Sequence, residues 1–450
     1  MKKSILLIIF SFLFILTTLY GQGIDSLIKK AESGDAVAEY NLSVMYMKGL
    51  GMKQNFNKAF FWVNKSAEQG LTQSQYELSL MYYNGMGTSK DFKKAFFWMK
   101  KSAQKGEPHA QYYLGLMYEK GEGVLTDPKQ AFYWFEKSAA QDNAEAQYNL
   151  ATMYYYGQGT QQDLNKAFYW YEKSAEQGDA NAQLILGTMY LEGRGTLKDF
   201  KKAFYWNKKS AEQGFVKAQY NLALMYENGL GTQQYENKAF YWYKKSAEQG
   251  YAKAQYNLAL MYAKGKGTLK DSNEAFYWFK KSAEQGDADA QLLLGSMYLD
   301  GFGTPKDEDK AFYWYKKSAE QGYAKAQLIL GLMYERGQGA LADPKQALYW
   351  LEKSAAQGNA EAQYSLAVVY YYGQGTFKDF KKAFYWSKKS AEQSYPNAQL
   401  IIAYMYYYGQ GTSVDKKQAA YWMKKAYDNG VKKAKDAWDK LELWKYGEKN

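Results

Sequence analysis

The chain has no cysteine and only one histidine, His109. No disulfide can staple it, no thiolate metal site can form, and a lone imidazole cannot make a histidine cluster. After residue 21 no apolar stretch approaches the roughly 20 residues that a membrane-spanning helix needs. Neither a metal nor a cofactor is expected, and the fold has to be held by packing alone.

What the chain has in abundance is repetition. The segment KAFYWYEKSAEQG, Lys166–Gly178, recurs along nearly the whole sequence. Its Ala167, Trp170, Tyr171, Ser174 and Ala175 are spaced as one face of an α-helix. The tryptophan returns from Trp62 to Trp422 at intervals of 36 residues, eleven times in register. Such a period marks a stacked helical array, which grows by adding units and not by enlarging one core.

Each unit is predicted to hold two helices. In the first unit, helix A covers about Ala36–Lys48, with Ala38, Leu42, Met45 and Tyr46 on one apolar stripe. The Tyr46 column is Tyr in every unit, and the Ser43 column holds only Ser, Gly or Ala, which lets a neighbour approach closely. A Gly-x-Gly pair, Gly49/Gly51 through Gly409/Gly411, ends helix A: the first glycine suits a left-handed cap and the second a tight turn. Four residues later stands Asp in nine units, the N-cap of helix B. Asn55 can also cap, whereas Tyr235 predicts a different helix start. The tryptophans are expected to lie buried along a continuous core to which each unit brings Trp, Tyr and usually Phe. The lysine column Lys65 to Lys425 is expected on a solvated face, partly balanced by Glu. No two-helix unit buries its own apolar face, so stacking must supply the partner. Each buried Trp or Phe then contributes about 1.5–3 kcal/mol.

The ends differ from the array. Residues 1–21 read as an export signal, with Lys2 and Lys3 before the apolar run Ile5–Leu19. Residues 22–34 align with the end of helix B and form a capping half-repeat, residues 35–430 form the eleven units, and residues 431–450 form a closing helix and tail. The net charge of +12 falls to +10 once Lys2 and Lys3 are removed, about one positive charge per unit.

The repeat resembles the Sel1-like family, a relative of the tetratricopeptide repeats. The family pattern A-x-x-x-L-[GA]-x-x-Y-x-x-G-x-G, then Asp, then K-A-x-x-W-[YF]-x-K-[SA]-A is matched by Ala182, Leu186, Gly187, Tyr190, Gly193, Gly195, Asp199, Lys202, Ala203, Trp206, Lys209, Ser210 and Ala211. The resemblance implies an all-α, right-handed α/α superhelical solenoid with helix A lining the concave side. It also implies adaptor work on protein or peptide partners. Cysteine-rich bacterial members are linked to penicillin binding and β-lactam hydrolysis, but this chain lacks their cysteines.

Ser102-Ala103-Gln104-Lys105 has the Ser-x-x-Lys spacing of penicillin-interacting serine enzymes, yet it is a local variant of the repeated Ser-Ala-Glu-Gln. Lys266-Gly267-Thr268 resembles the accompanying Lys-Thr-Gly only loosely, and no unit assembles nucleophile, base and oxyanion donor. His109 falls in a mostly polar column and is expected in solvent. A non-enzymatic, monomeric scaffold, periplasmic or secreted, is the reading; nucleic acid is a poor partner for an exported chain. The units disagree most along columns 37, 41, 44 and 48 of helix A, one stripe away from the core stripe. Such freedom is what a ligand-facing groove or an unconstrained surface would show; the apolar and aromatic residues there favour the groove, with Tyr113, Tyr156, Tyr372, Ile401, Tyr404 and Tyr408 as candidate contacts. A cell-envelope glycan such as peptidoglycan, stacked on tyrosines or held by the lysine column, is the alternative partner.

Overall fold

A computed structural model describes residues 23–446, and every regular element among them is helical. The predicted export signal lies outside the described residues, as does the end of the C-terminal tail. The chain divides into two compact parts, one up to Met225 with residues 229–233, the other comprising residues 226–228 and 234 onward. Within each part, every helix packs on the next, so helix A meets its own helix B and helix B meets the following helix A.

The repeat sets the helix ends. Helix A of the first unit is Ala36–Lys48 and helix B is Phe56–Glu68, and this 13-residue pattern recurs, as in Ala288–Asp300 and Glu308–Glu320. Asp35 accepts from the Ala38 amide and Asp271 from the amides of Asn273 and Glu274, satisfying donors that the helix leaves open. The capping backbone N–H donates to the tyrosine column, for example Asp91 to the Tyr82 carbonyl at 2.9 Å. Tyr235 corrects an expectation: its helix begins in the same register, at Glu236, because Tyr235 makes this same backbone bond to Tyr226 although its side chain does not cap.

Consecutive units are clasped by edge-on aromatics, and the two helices of a single unit are tied by serine. Phe60 of one unit meets Tyr82 of the next at 5.3 Å between centroids, and Phe276 meets Tyr298 likewise. The serine after the lysine column is fully buried and donates to the carbonyl of the first residue of helix A in its own unit, as in Ser174 to Ala144. The second glycine of each pair does more than turn the chain. Gly303 has φ +70°, and a Cβ there would stand 2.0 Å from the Ser272 carbonyl oxygen, where helix B of the preceding unit starts.

The tryptophans also depart from expectation. Trp134, Trp278, Trp350 and Trp422 are buried, but the other seven are only partly so. The deepest position is the residue after them, from Val63 and Phe135 to Ser387 and Met423, none more than 3% exposed. The small Ser43 column exists for that side chain: a Cβ on Gly115 would meet the Phe135 ring at 2.7 Å, and one on Gly331 would meet Leu351 at 2.9 Å.

The caps follow the predicted alignment in part. Residues 23–32 are helical, and Ala31 is fully buried among Leu27, Ile28 and Leu42. The C-terminal helix is shorter than a helix A, Lys433–Lys440, followed by a 3-10 turn at Leu443–Lys445. Ala434 and Leu443 are buried, while Trp438 and Leu441 pack only partly against the last unit.

A candidate binding face on the A helices

The buried residue after each tryptophan reaches under the exposed stripe of helix A. Tyr171 hydroxyl lies 2.9 Å from the Thr152 hydroxyl, and Tyr315 donates to Ser296 at the same distance. Thr152 and Ser296 belong to column 44 of the variable stripe. Tyr243 instead donates to Glu227, one column from the stripe, at 2.6 Å. A large side chain therefore plugs the space behind helix A. Burial pushes the Tyr171 and Tyr315 phenols up, so both stay neutral hydrogen-bonding groups.

In the tenth unit the plug is missing. Ser387 stands at that position, fully buried, and its hydroxyl has no hydrogen-bond partner. The residues that a larger side chain would reach, Val368 and Tyr371, instead wall a cavity of about 310 Å³. Tyr372 completes the wall from the Ala360–Tyr372 helix, and Leu400, Ile401, Tyr404 and Tyr408 form it from Pro396–Tyr408. Asn207, the other small polar residue in this column, leaves no comparable loss, because its amide bonds the Ala203 carbonyl and accepts from Asn221.

Four of the six residues singled out by sequence thus line one cavity. The rings of Tyr404 and Tyr408 are stacked at 6.3 Å with an interplanar angle of 9°. Tyr372 and Tyr408 are well exposed, at 61% and 57%, and Ile401 and Tyr404 are half-buried. Burial, with a smaller effect of Tyr408, raises the Tyr404 pKa. Tyr371 is fixed from behind by Phe380 at 5.3 Å and by its hydroxyl donating to Gln410 at 2.9 Å. The result is an apolar hollow edged by phenols, with no charged residue in its lining. Its volume is at the low end for ligand pockets, and suits one large side chain better than a cofactor.

The other two candidates do not belong to this lining. Tyr113 sits on Pro108–Lys120 in an aromatic group with Tyr76, 6.0 Å away, and Tyr112. Tyr156 ends its helix A, is 65% exposed, and meets only the edge of Tyr155. Val368, Tyr371 and Leu400, which also line the cavity, were missed by sequence reading; the signal available was the drop to Ser387 behind it, in a column elsewhere filled mainly by large residues.

The remaining chemical candidates have structural roles. The Ser102 hydroxyl is fully buried and donates to the Thr72 carbonyl, as its counterparts do in other units, while Lys105 bonds the Gly70 carbonyl. His109 is exposed, as expected, beside Tyr76 and Asn143. Among the described residues no cluster of side chains could hold a metal ion, and no helix is long and apolar enough to cross a membrane.

These features coincide with known proteins. The Sel1 repeat model matches eleven consecutive segments, the first at residues 36–71 and the last at 396–431. A protective antigen of uropathogenic Escherichia coli strains, displaying an SLR fold, is 37% identical with a TM-score of 0.84, and the match covers 93% of this chain and 90% of that one. A Sel1 repeat protein from Oxalobacter formigenes is also 37% identical, with a TM-score of 0.55 over 68% of this chain and 90% of its own. No curated protein sequence matches. Eleven matched segments over nearly the whole described chain, on an all-helical solenoid, place it plainly: the chain belongs to the Sel1 repeat family.

Proposed function

We propose that this protein is a non-enzymatic, exported scaffold that holds a protein or peptide on the exposed face of its A helices, with a large apolar side chain of the partner entering the cavity between Val368 and Tyr408. Sel1 repeat proteins are in general interaction scaffolds and their solenoid is typically non-enzymatic, which supports the broad reading. The observation that carries the specific one is the cavity itself. Tyrosines give large contact area, a hydrogen-bonding tip and little side-chain entropy to lose. A largely apolar wall with no charged residue favours an uncharged anchor, since a charged one entering it would lose water without gaining an opposite charge. Export rests on residues 1–21, and similarity to a protein that is a protective antigen supports it.

Selection of binders from a random peptide library, repeated on two variants, tests the reading. Selected peptides should share a large apolar residue and lose about 1–4 kcal/mol of binding to Tyr404→Ala. Ser387→Met, which introduces the residue found buried at Met423, should weaken the same peptides while every exposed lining residue stays in place. Peptides that bind the parent and both variants equally would refute the proposal.

A further inference from the structure

The residue before each tryptophan forms a second, different surface. It is Phe or Tyr in all eleven units, from Phe61 to Tyr421, and every one is between 43% and 52% exposed. Each stands edge-on to its tryptophan, with centroids 4.9–5.1 Å apart. In ten units the invariant lysine four residues later lies over the ring, 4.5–5.9 Å from its centre. The eleventh, Lys173, pairs with Glu176 at 3.6 Å. This corrects the expectation of a lysine face balanced by Glu: the lysines are held mainly by aromatic rings.

Neither the core nor the family pattern requires this aromatic. Half of its surface is in water, and the pattern K-A-x-x-W leaves the position before the tryptophan open. Neighbouring exposed positions have drifted freely: three residues beyond the aromatic stand Lys100, Glu136, Glu172 and Lys208 in successive units. An exposed aromatic and an exposed lysine that stay fixed while their neighbours change are kept for contact with something.

We propose that, within each of the two compact parts of the chain, these aromatic–lysine pairs form a ladder that binds a linear acidic polysaccharide. A site repeated once per unit fits a ligand that repeats in one dimension. On the face that the lysine leaves uncovered, the ring offers a flat apolar surface to the C–H face of a sugar, and the ammonium over the other face meets a carboxylate of the same chain. The near absence of arginine, only Arg194 and Arg336, argues against nucleic acid, because arginine is the side chain suited to bidentate phosphate contact. The ladder is separate from the A-helix cavity and stands or falls independently of it.

Affinity electrophoresis in gels containing polygalacturonate, with neutral dextran and single-stranded poly-dT as comparison polymers, tests the proposal on the full chain. Polygalacturonate should retard the protein, and dextran should not. The triple variant Tyr277→Ala, Tyr313→Ala, Tyr349→Ala removes three successive rings and no charge, and should weaken retardation by about tenfold or more. Replacing the same tyrosines by Leu keeps the tryptophan edges covered but removes the π faces, so it separates loss of fold from loss of binding and should weaken retardation as well. Unchanged retardation of either triple variant, or retardation by poly-dT as strong as by polygalacturonate, would mean simple ion exchange by lysines and overturn the inference; so would no retardation at all.

Discussion

Gly301 and Gly303 stand two residues apart in the same turn, both with positive φ, and they should respond very differently to alanine. Either substitution forces an L-residue into the left-handed region, which costs about 1–2 kcal/mol. At Gly301, φ +74°, the new Cβ meets the Lys306 side chain at 2.8 Å, and that flexible chain can swing away. At Gly303 the Cβ would fall 2.0 Å from the Ser272 carbonyl oxygen and 2.6 Å from its carbon, both backbone atoms at the start of the Ser272–Glu284 helix. A carbon–oxygen contact relaxes only beyond about 3.3 Å, so two helices must separate by more than an ångström. The total for Gly303→Ala should therefore reach about 3–5 kcal/mol, against about 1–2 for Gly301→Ala. In a stack stabilised by nearest neighbours, that loss weakens one interface and lets the flanking units unfold separately. Urea unfolding followed by tryptophan fluorescence should show a single transition shifted slightly for Gly301→Ala, and a broadened or split one for Gly303→Ala. Equal shifts for the two variants would refute the close-approach account of the second glycine.

Two further outcomes follow from local chemistry. Ser394 adopts φ 65° where the next unit has Gly430, so Ser394→Gly should stabilise the protein by about 1 kcal/mol, visible as a raised Tm. Asp287 caps the Ala288–Asp300 helix, but burial raises its pKa against the opposing amide bonds. The stability tied to its protonation is complete below the ordinary Asp value and is lost as pH rises through the folded value. Asp287→Asn, which keeps a cap of the kind made by Asn143 and Asn359, should raise Tm near pH 7, and the gain should fade towards about pH 4; a gain independent of pH would contradict that cause.

Much of this architecture was legible because it is written eleven times. The period shows in eleven tryptophans 36 residues apart, while helix ends and caps are local and each appears within a dozen residues. What stayed hidden depends on partners in another helix. A glycine at Gly303 announces positive φ, but its approach to Ser272 spans 31 residues and leaves no local sign. Glutamine is ordinarily an exposed residue, yet Gln183 is 4% exposed because its amide donates to the Ala175 carbonyl and its oxygen accepts from Gln213. The cavity was half visible. Ile401, Tyr404 and Tyr408 share a helix stripe, and Tyr372 lies on the adjacent one, so spacing alone brings them together. Ser387 was invisible as a site residue, because its meaning depends on knowing that its column plugs the space behind helix A. Tyr113 and Tyr156 satisfied the same composition rule in units where that plug is Phe135 and Tyr171.

The two proposed surfaces draw on opposite properties of a repeat. A hollow that admits one side chain requires a departure, since whatever every unit repeats is packed the same way in every unit. Ser387, in a column filled mainly by large buried residues, is such a departure behind the hollow, and it exposes no polar surface and breaks no clasp between units. An extended polymer requires the reverse, a contact that does not change from unit to unit, and the exposed aromatic and its lysine are what the exposed surface keeps constant. Variation on the A helices and constancy on the B helices are therefore not two accidents of drift. A solenoid lets the two faces evolve apart because neither supplies its central packing: the A stripe touches the core through side chains such as Thr152 and Ser296, and the ring before each tryptophan lies outside the packing of the residue after it.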